Sequence, residues 1–391
     1  MALITSLLAA IVVLIRALIA AADPLPPTID PFYKPQDDSW KDKAPGFIID
    51  HRPSPLTAHQ LLFVTRNATG DPTTSVTTVI RPQYANPNRL LSYQIAYDSP
   101  DVNYYEGNNA AFTVGPQSGS HTLDSIRAAL NSQEYTDINP KAKAVMFAYS
   151  GGGLASEWAA ELYAKDDSDL NIVGAAIGGP PPNVTETYIH VNGTQSPLNV
   201  WAILGVMNAF PRVDQFLRDD LKVRMGLVLP RPPHTVQRPG SETAENPSKR
   251  QQTSSTRTGS WDGKSTERTG RSFPLYIFQG TDDNITAPID VTDDLYWTYC
   301  HAGTNVRYVR YEGKDHGQTL IAGMYPAWNW ISARVRGRRV LDCSVKNVTK
   351  DDDGDEDDVA AVDLGGGKTG LKEESGQDTL TGLGSTYEDD L

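Results

Sequence analysis

The sequence predicts an α/β fold, a mostly parallel sheet flanked by helices. Three observations lead there: short apolar runs recur along the chain, a segment of helical spacing lies between them, and 39% hydrophobic content in 391 residues suffices for a sizeable core. In chain order, "LLSYQIAY" (90–97) and "AVMFAY" (144–149) read as strands. "LASEWAAELYAK" (154–165) then has helical periodicity, with Leu154, Trp158, Ala159 and Leu162 on one face. "NIVGAAIGG" (171–179) and "FPLYIFQG" (273–280) read as buried strands, and "NVRYVRYE" (305–312) alternates like a strand exposed on one face. "YPAWNWISARVRG" (325–337) closes the core as an amphipathic helix.

The segments outside this core have their own composition. Residues 1–22 are almost wholly apolar and end in small residues before "DPLPP", the pattern of a secretory signal cleaved near Ala22. A signal anchor is the alternative, because Arg16 interrupts the apolar run and no basic residue precedes it. Five N-x-[ST] sequons, at Asn67, Asn183, Asn192, Asn284 and Asn347, fit a secretory route. Of the net charge of −13, −11 belongs to residues 350–391, so residues 346–391 are expected to be a solvated acidic tail. The stretch from about 230 to 271 is polar and without hydrophobic periodicity, and is expected to be a disordered insertion. It is too mildly basic and too poor in aromatics for a nucleic-acid platform. The folded domain is therefore expected over 23–345, with a cap at about 180–230. Cys300 and Cys343 are the two cysteines, open to a single bridge or to two free thiols. No H-E-x-x-H or clustered histidine pattern occurs, and no metal or other cofactor is expected.

The chemistry is concentrated at "FAYSGGGLASEWAAEL" (147–162). A buried strand, a serine, glycines and a helix form the context of a nucleophile elbow, where a sharp turn lifts the serine hydroxyl above the sheet edge. Small residues are needed two positions either side of Ser150, and these are Ala148 and Gly152, so the motif is A-x-S-x-G. The rival reading is a dinucleotide-binding glycine loop, which needs an acidic residue closing a second strand about 20 positions on. Asp166, Asp167 and Asp169 instead close the helix.

A serine needs a base, and the base an orienting carboxylate. In α/β-hydrolases the chain order is Ser, then Asp or Glu, then His. Asp283 follows the strand ending at Gly280, and His316 lies on the loop after the next strand. Asp282 is the substitute for Asp283, an Asx turn being its other use. Asp315, beside His316, is expected to point elsewhere on a tight loop.

With these residues in place, the chain resembles the fungal secretory lipases of the Candida antarctica lipase A type. The resemblance rests on "DPFYKP" (30–35), "YQIAYDS" (93–99), "YEGNNAAFTVGPQSG" (105–119), "YSGGGLASEWAAEL" (149–162), "PLYIFQGTDDNITAPI" (274–289), "YCHAG" (299–303) and "DHG" (315–317). It implies hydrolysis of triacylglycerols and other carboxylic esters, with Ser150 as nucleophile, His316 as base and Asp283 as its partner. It also implies an oxyanion hole at the Gly151 N–H and Asp98, and pairing of Cys300 with Cys343. The chain departs from the resemblance after Ser99, where "PDVNY" alone leads to Tyr105 in place of a longer segment with a helix and a core strand. The cap also looks short, with "SPLNVWAILGVMNAFPRVDQFLRDDL" supplying one or two apolar helices that could touch a lipid surface. Two functions follow: a secreted esterase or lipase acting on a lipid or ester substrate, or a secreted non-catalytic relative that at most binds apolar ligands.

Overall fold

The structure, a computed structural model, describes residues 26–54, 57–96, 98–99, 111–165, 170–192, 197–225 and 272–349. The signal segment, the low-complexity insertion and nearly all of the acidic tail lie outside the described residues.

After a 3-10 turn at Pro31–Tyr33, the first described strands are β1 (Ile48–Ser54), β2 (Ala58–Arg66) and β3 (Pro72–Ile80), which pair antiparallel in the order β1-β2-β3. This sheet is absent from the sequence reading. β4 (Arg89–Gln94) leads to helices α1 (Gly115–Asn131) and α2 (Gln133–Thr136). β5 (Lys143–Tyr149) is followed by α3 (Gly151–Lys165), then β6 (Ile172–Gly178). Next come α4 (Val184–Val191), α5 (Leu198–Ala209) and α6 (Pro211–Met225), in the place expected for a cap. β7 (Leu275–Gly280), α7 (Ile289–His301), β8 (Val306–Tyr311), α8 (His316–Val335) and β9 (Ser344–Val348) complete the described fold.

Strands β4 to β9 form one sheet in the order β4-β5-β6-β7-β8-β9, every neighbour pair parallel. β5 carries an unbroken apolar run because the sheet is covered on both faces. Ala144 and Met146 enter one core with Ile177, Ile277 and Leu295. Val145, Phe147 and Tyr149 enter the other, with Phe278 and Trp330.

Three expectations are corrected. The domain runs past residue 345, because "SVKNV" pairs with β8 as its outer neighbour. β8 is consequently an interior strand with four of six residues buried, and Arg307 and Arg310 are only partly exposed. The closing helix begins at His316, nine residues before the predicted 325. Its continuation through Pro326 has a local cause: proline offers no N–H to the carbonyl four residues back, and that carbonyl, of Ala322, accepts from the Tyr311 hydroxyl at 3.3 Å instead. Cys300 at the end of α7 is disulfide-bonded to Cys343 beside β9.

The segment from 100 to 110, where the sequence departs from the resemblance, lies outside the described residues. β3 and β4 each end their own sheet, and a cleft of about 1050 Å³ lies along both, lined by Ile80, Leu91 and Tyr93 among others.

Candidate active site

β5 ends at Tyr149 and α3 begins at Gly151, so Ser150 alone makes the turn, with φ +57°. That left-handed conformation is costly for a residue with a Cβ and persists only when its surroundings enforce it. They do so here: the Ser150 N–H donates to the Gly178 carbonyl of β6 at 2.9 Å, and the Ser150 carbonyl accepts from the Leu154 N–H at 3.3 Å. Ala148 is fully buried. At Gly152, an added Cβ would lie 2.1 Å from the Gln94 carbonyl oxygen, so α3 can start this close to β4 only with glycine there. The turn sets Ser150 at the N-terminal end of α3, where free backbone N–H groups favour negative charge.

Asp283 lies just beyond β7 and is buried. Its Oδ1 accepts from the backbone N–H groups of Ile285 and Thr286, each at 2.9 Å. Its Oδ2 accepts from Gln279 Nε2 at 2.8 Å, from the Thr286 hydroxyl at 3.0 Å, and lies 2.7 Å from His316 Nδ1. Burial pushes this carboxyl up, but the His316 hydrogen bond and charge, with the two backbone N–H groups, outweigh it and hold the carboxyl below the ordinary carboxylate range. A carboxylate only accepts, so the facing Nδ1 carries the hydrogen and a neutral His316 ring keeps its lone pair on Nε2.

His316 is the first residue of α8, not a loop residue. Asp315 caps that helix: its side chain accepts from the Gln318 N–H at 2.8 Å, and the Gln318 side chain accepts from the Asp315 N–H at 3.1 Å. Asp315 thus points away from the imidazole, as expected. Tyr149, the residue before Ser150, donates its hydroxyl to the His316 carbonyl at 2.5 Å and packs its ring 4.9 Å from the imidazole. Burial, then the charges of Asp283 and Asp315, push the Tyr149 hydroxyl up and keep it a donor. Gly179, at φ +50°, leaves room for the pair, since a Cβ there would fall 2.8 Å from His316 Cε1.

Of the paired acids, Asp283 meets His316; Asp282 is exposed and accepts from the Thr281 hydroxyl at 3.1 Å. Asp98 lines a cavity of about 60 Å³ together with Ser150, Gly151, Tyr188 of α4 and Leu198 of α5. Burial raises the Asp98 carboxyl, with the His316 charge opposing. Among the sequons, Asn192, Asn284 and Asn347 are exposed and Asn67 is half-buried on a turn. Asn183 is corrected as a glycosylation candidate, because it is buried and its Oδ1 caps α4, accepting from Thr185 and Glu186 N–H groups at 3.0 and 3.3 Å. Among the described residues no His, Cys, Asp and Glu cluster could hold a metal, and no helix is long and apolar enough to cross a membrane.

Sequence reasoning missed Tyr149, Gly179, Gln279 and Thr286. Tyr149 and Gln279 stand at the ends of strands already recognised, where side chains of a parallel sheet meet the site.

A parallel sheet with helices on both faces, a serine on the turn after one strand and an Asp–His pair after two later strands make this an α/β-hydrolase fold. The crystal structure of Candida antarctica lipase A superposes with a TM-score of 0.66 over 84% of this chain and 90% of that one, at 22% identity. A profile described as secretory lipase matches residues 88–229 and 265–343. Lipase 5 of Candida albicans is 28% identical, covering 81% of this chain and 83% of its own. The trichothecene C-3 esterase of Fusarium sporotrichioides is 30% identical, covering 85% and 90%. The chain belongs to the secretory lipase family, and with these relatives it is an ester hydrolase.

Proposed function

We propose that the protein is a secreted triacylglycerol lipase working through Ser150, His316 and Asp283. The observation that carries this reading is the 2.7 Å His316–Asp283 pair tied through Tyr149 to the strained Ser150 turn. His316 Nε2 takes the Ser150 hydroxyl proton as Oγ attacks the ester carbonyl carbon. The carbonyl oxygen becomes an oxyanion held by the Gly151 N–H and the backbone N–H of Asp98. Collapse transfers the proton to the departing alcohol and leaves an acyl-enzyme. Water then gives a proton to Nε2, attacks the acyl carbon and releases the fatty acid as Ser150 recovers its hydrogen. The buried, hydrogen-bonded Asp283 carboxylate stabilises the imidazolium in both steps. Secretion rests on the apolar leader, the family's description and the exposed sequons at Asn192 and Asn347.

The cleft between β3 and β4 favours a second reading, a relative that binds apolar ligands without turnover. Labelling with a fluorophosphonate, beside turnover of a p-nitrophenyl ester and of an emulsified triacylglycerol, separates the two. Labelling and turnover lost in a folded Ser150→Ala variant support the lipase. A soluble, folded wild-type chain that neither labels nor turns over ester supports the binder, and turnover of p-nitrophenyl ester alone reduces the assignment to an esterase.

A further inference from the structure

Thr113 stands two residues before α1 with φ +69°. For a β-branched side chain that conformation is an outlier, at a position where glycine is the default. The neighbours enforce it: Phe112 and Val114 are buried, the Val114 N–H donates to the Ala111 carbonyl at 3.1 Å, and Gly205 of α5 packs so tightly on Phe112 that an added Cβ would lie 2.4 Å from its carbonyl oxygen. The Thr113 hydroxyl is also buried and has no hydrogen-bond partner. Strain and an unsatisfied hydroxyl both destabilise the fold, and they coincide at one residue. That residue lines the small cavity shared by Ser150, Gly151 and Asp98.

We infer that the Thr113 hydroxyl donates a hydrogen bond to the carbonyl oxygen of the bound ester, as a third donor beside the Gly151 and Asp98 N–H groups. The inference rests on the proposed ester hydrolysis at Ser150. An ester offers acceptor oxygens and no donors, so a hydroxyl meeting it must donate. Of the two ester oxygens, the carbonyl oxygen gains charge as Ser150 attacks, and a donor fixed there in advance is worth most in the transition state. The empty hydrogen-bonding capacity of Thr113 in the free protein is then the capacity the substrate fills.

The test compares Thr113→Val, which keeps the branched shape and removes the hydroxyl, with Thr113→Ser, which keeps the donor. For Thr113→Val, kcat on a p-nitrophenyl ester is expected to fall about a hundredfold with KM little changed. The rate constant for fluorophosphonate labelling of Ser150 falls in the same proportion, while Tm is equal or higher because a buried unpaired hydroxyl has gone. Thr113→Ser stays within a few-fold of wild type. Wild-type kcat and labelling in Thr113→Val overturn the inference and leave the lipase reading standing. Equal losses in both variants with a lower Tm also overturn it, since the role is then structural. An inactive, unlabelled wild-type protein overturns the lipase reading and this inference together.

Discussion

His190, near the end of α4, places Nε2 3.1 Å from the backbone carbonyl oxygen of Asp283. A carbonyl only accepts, so this nitrogen carries its hydrogen and α4 is tied directly to the loop of the proposed catalytic acid. One such hydrogen bond is worth about 1 kcal/mol. His190→Ala should therefore lower kcat/KM on a p-nitrophenyl ester about fivefold and Tm by about 2 °C. His190→Gln, which can still donate, should recover most of both. Unchanged kcat/KM and Tm in the alanine variant would show that α4 is held by other contacts.

The adjacent acids provide a cleaner contrast. Asp283→Asn removes the charge facing His316 Nδ1 and permits the wrong ring tautomer, so kcat should fall on the order of 10³- to 10⁴-fold. Asp282→Asn alters an exposed side chain that accepts from the neighbouring Thr281 hydroxyl, and kcat should stay within twofold of wild type. Steady-state kinetics on both purified variants decide it, and a collapse of kcat in Asp282→Asn would reverse the assignment.

His121 of α1 makes stability depend on pH. Its Nε2 lies 3.1 Å from the Arg66 carbonyl oxygen, and burial lowers its pKa to about 4 against the smaller opposing effect of that bond. Unfolded, it takes up a proton near its ordinary value of about 6.5. Between pH 6.5 and 4 the unfolded chain binds more protons, so stability falls as the pH drops, on the order of 3 kcal/mol from this residue. Asp98 and Asp124, whose carboxyls burial raises, work in the opposite direction just above the ordinary carboxylate value. Asp283, held low, contributes stability that is lost only as the pH falls further, below the ordinary carboxylate value. Urea unfolding of wild type and His121→Gln at both ends of the window isolates the histidine: the variant should lack the fall, and parallel curves would refute it.

The readable parts of the sequence were those where one physical demand dominates. β5 and β7 are buried on both faces and so are written as apolar runs, and the glycines after Ser150 mark a turn that larger side chains could not enter. Asp283 and His316 were found because residues following parallel strands gather at one sheet edge. Where demands mix, the signal faded. β9 is a short, mostly exposed edge strand whose "SVKNV" looks like the beginning of the acidic tail, and its pairing partner lies more than 30 residues upstream. β3 is threonine-rich and only partly buried. Pro326 looked like the first turn of a helix because nothing local reveals that the Tyr311 hydroxyl will serve the carbonyl it leaves unbonded. The cost at Thr113 is equally silent in sequence, since a positive φ arises from its packing and not from its residue type.

β4 is the outer strand of the six-stranded sheet among the described residues. A terminal strand is ordinarily blunted by lysine, proline, a bulge or a covering element, because an open ladder accepts any extended chain that reaches it. β4 instead presents Leu91, Tyr93 and, just past its end, Ile95 at 41, 59 and 56% exposure, with Arg89 as the charge at its start. An extended segment that met this edge would find apolar side chains beside the strand and one cation, Arg89, at its start.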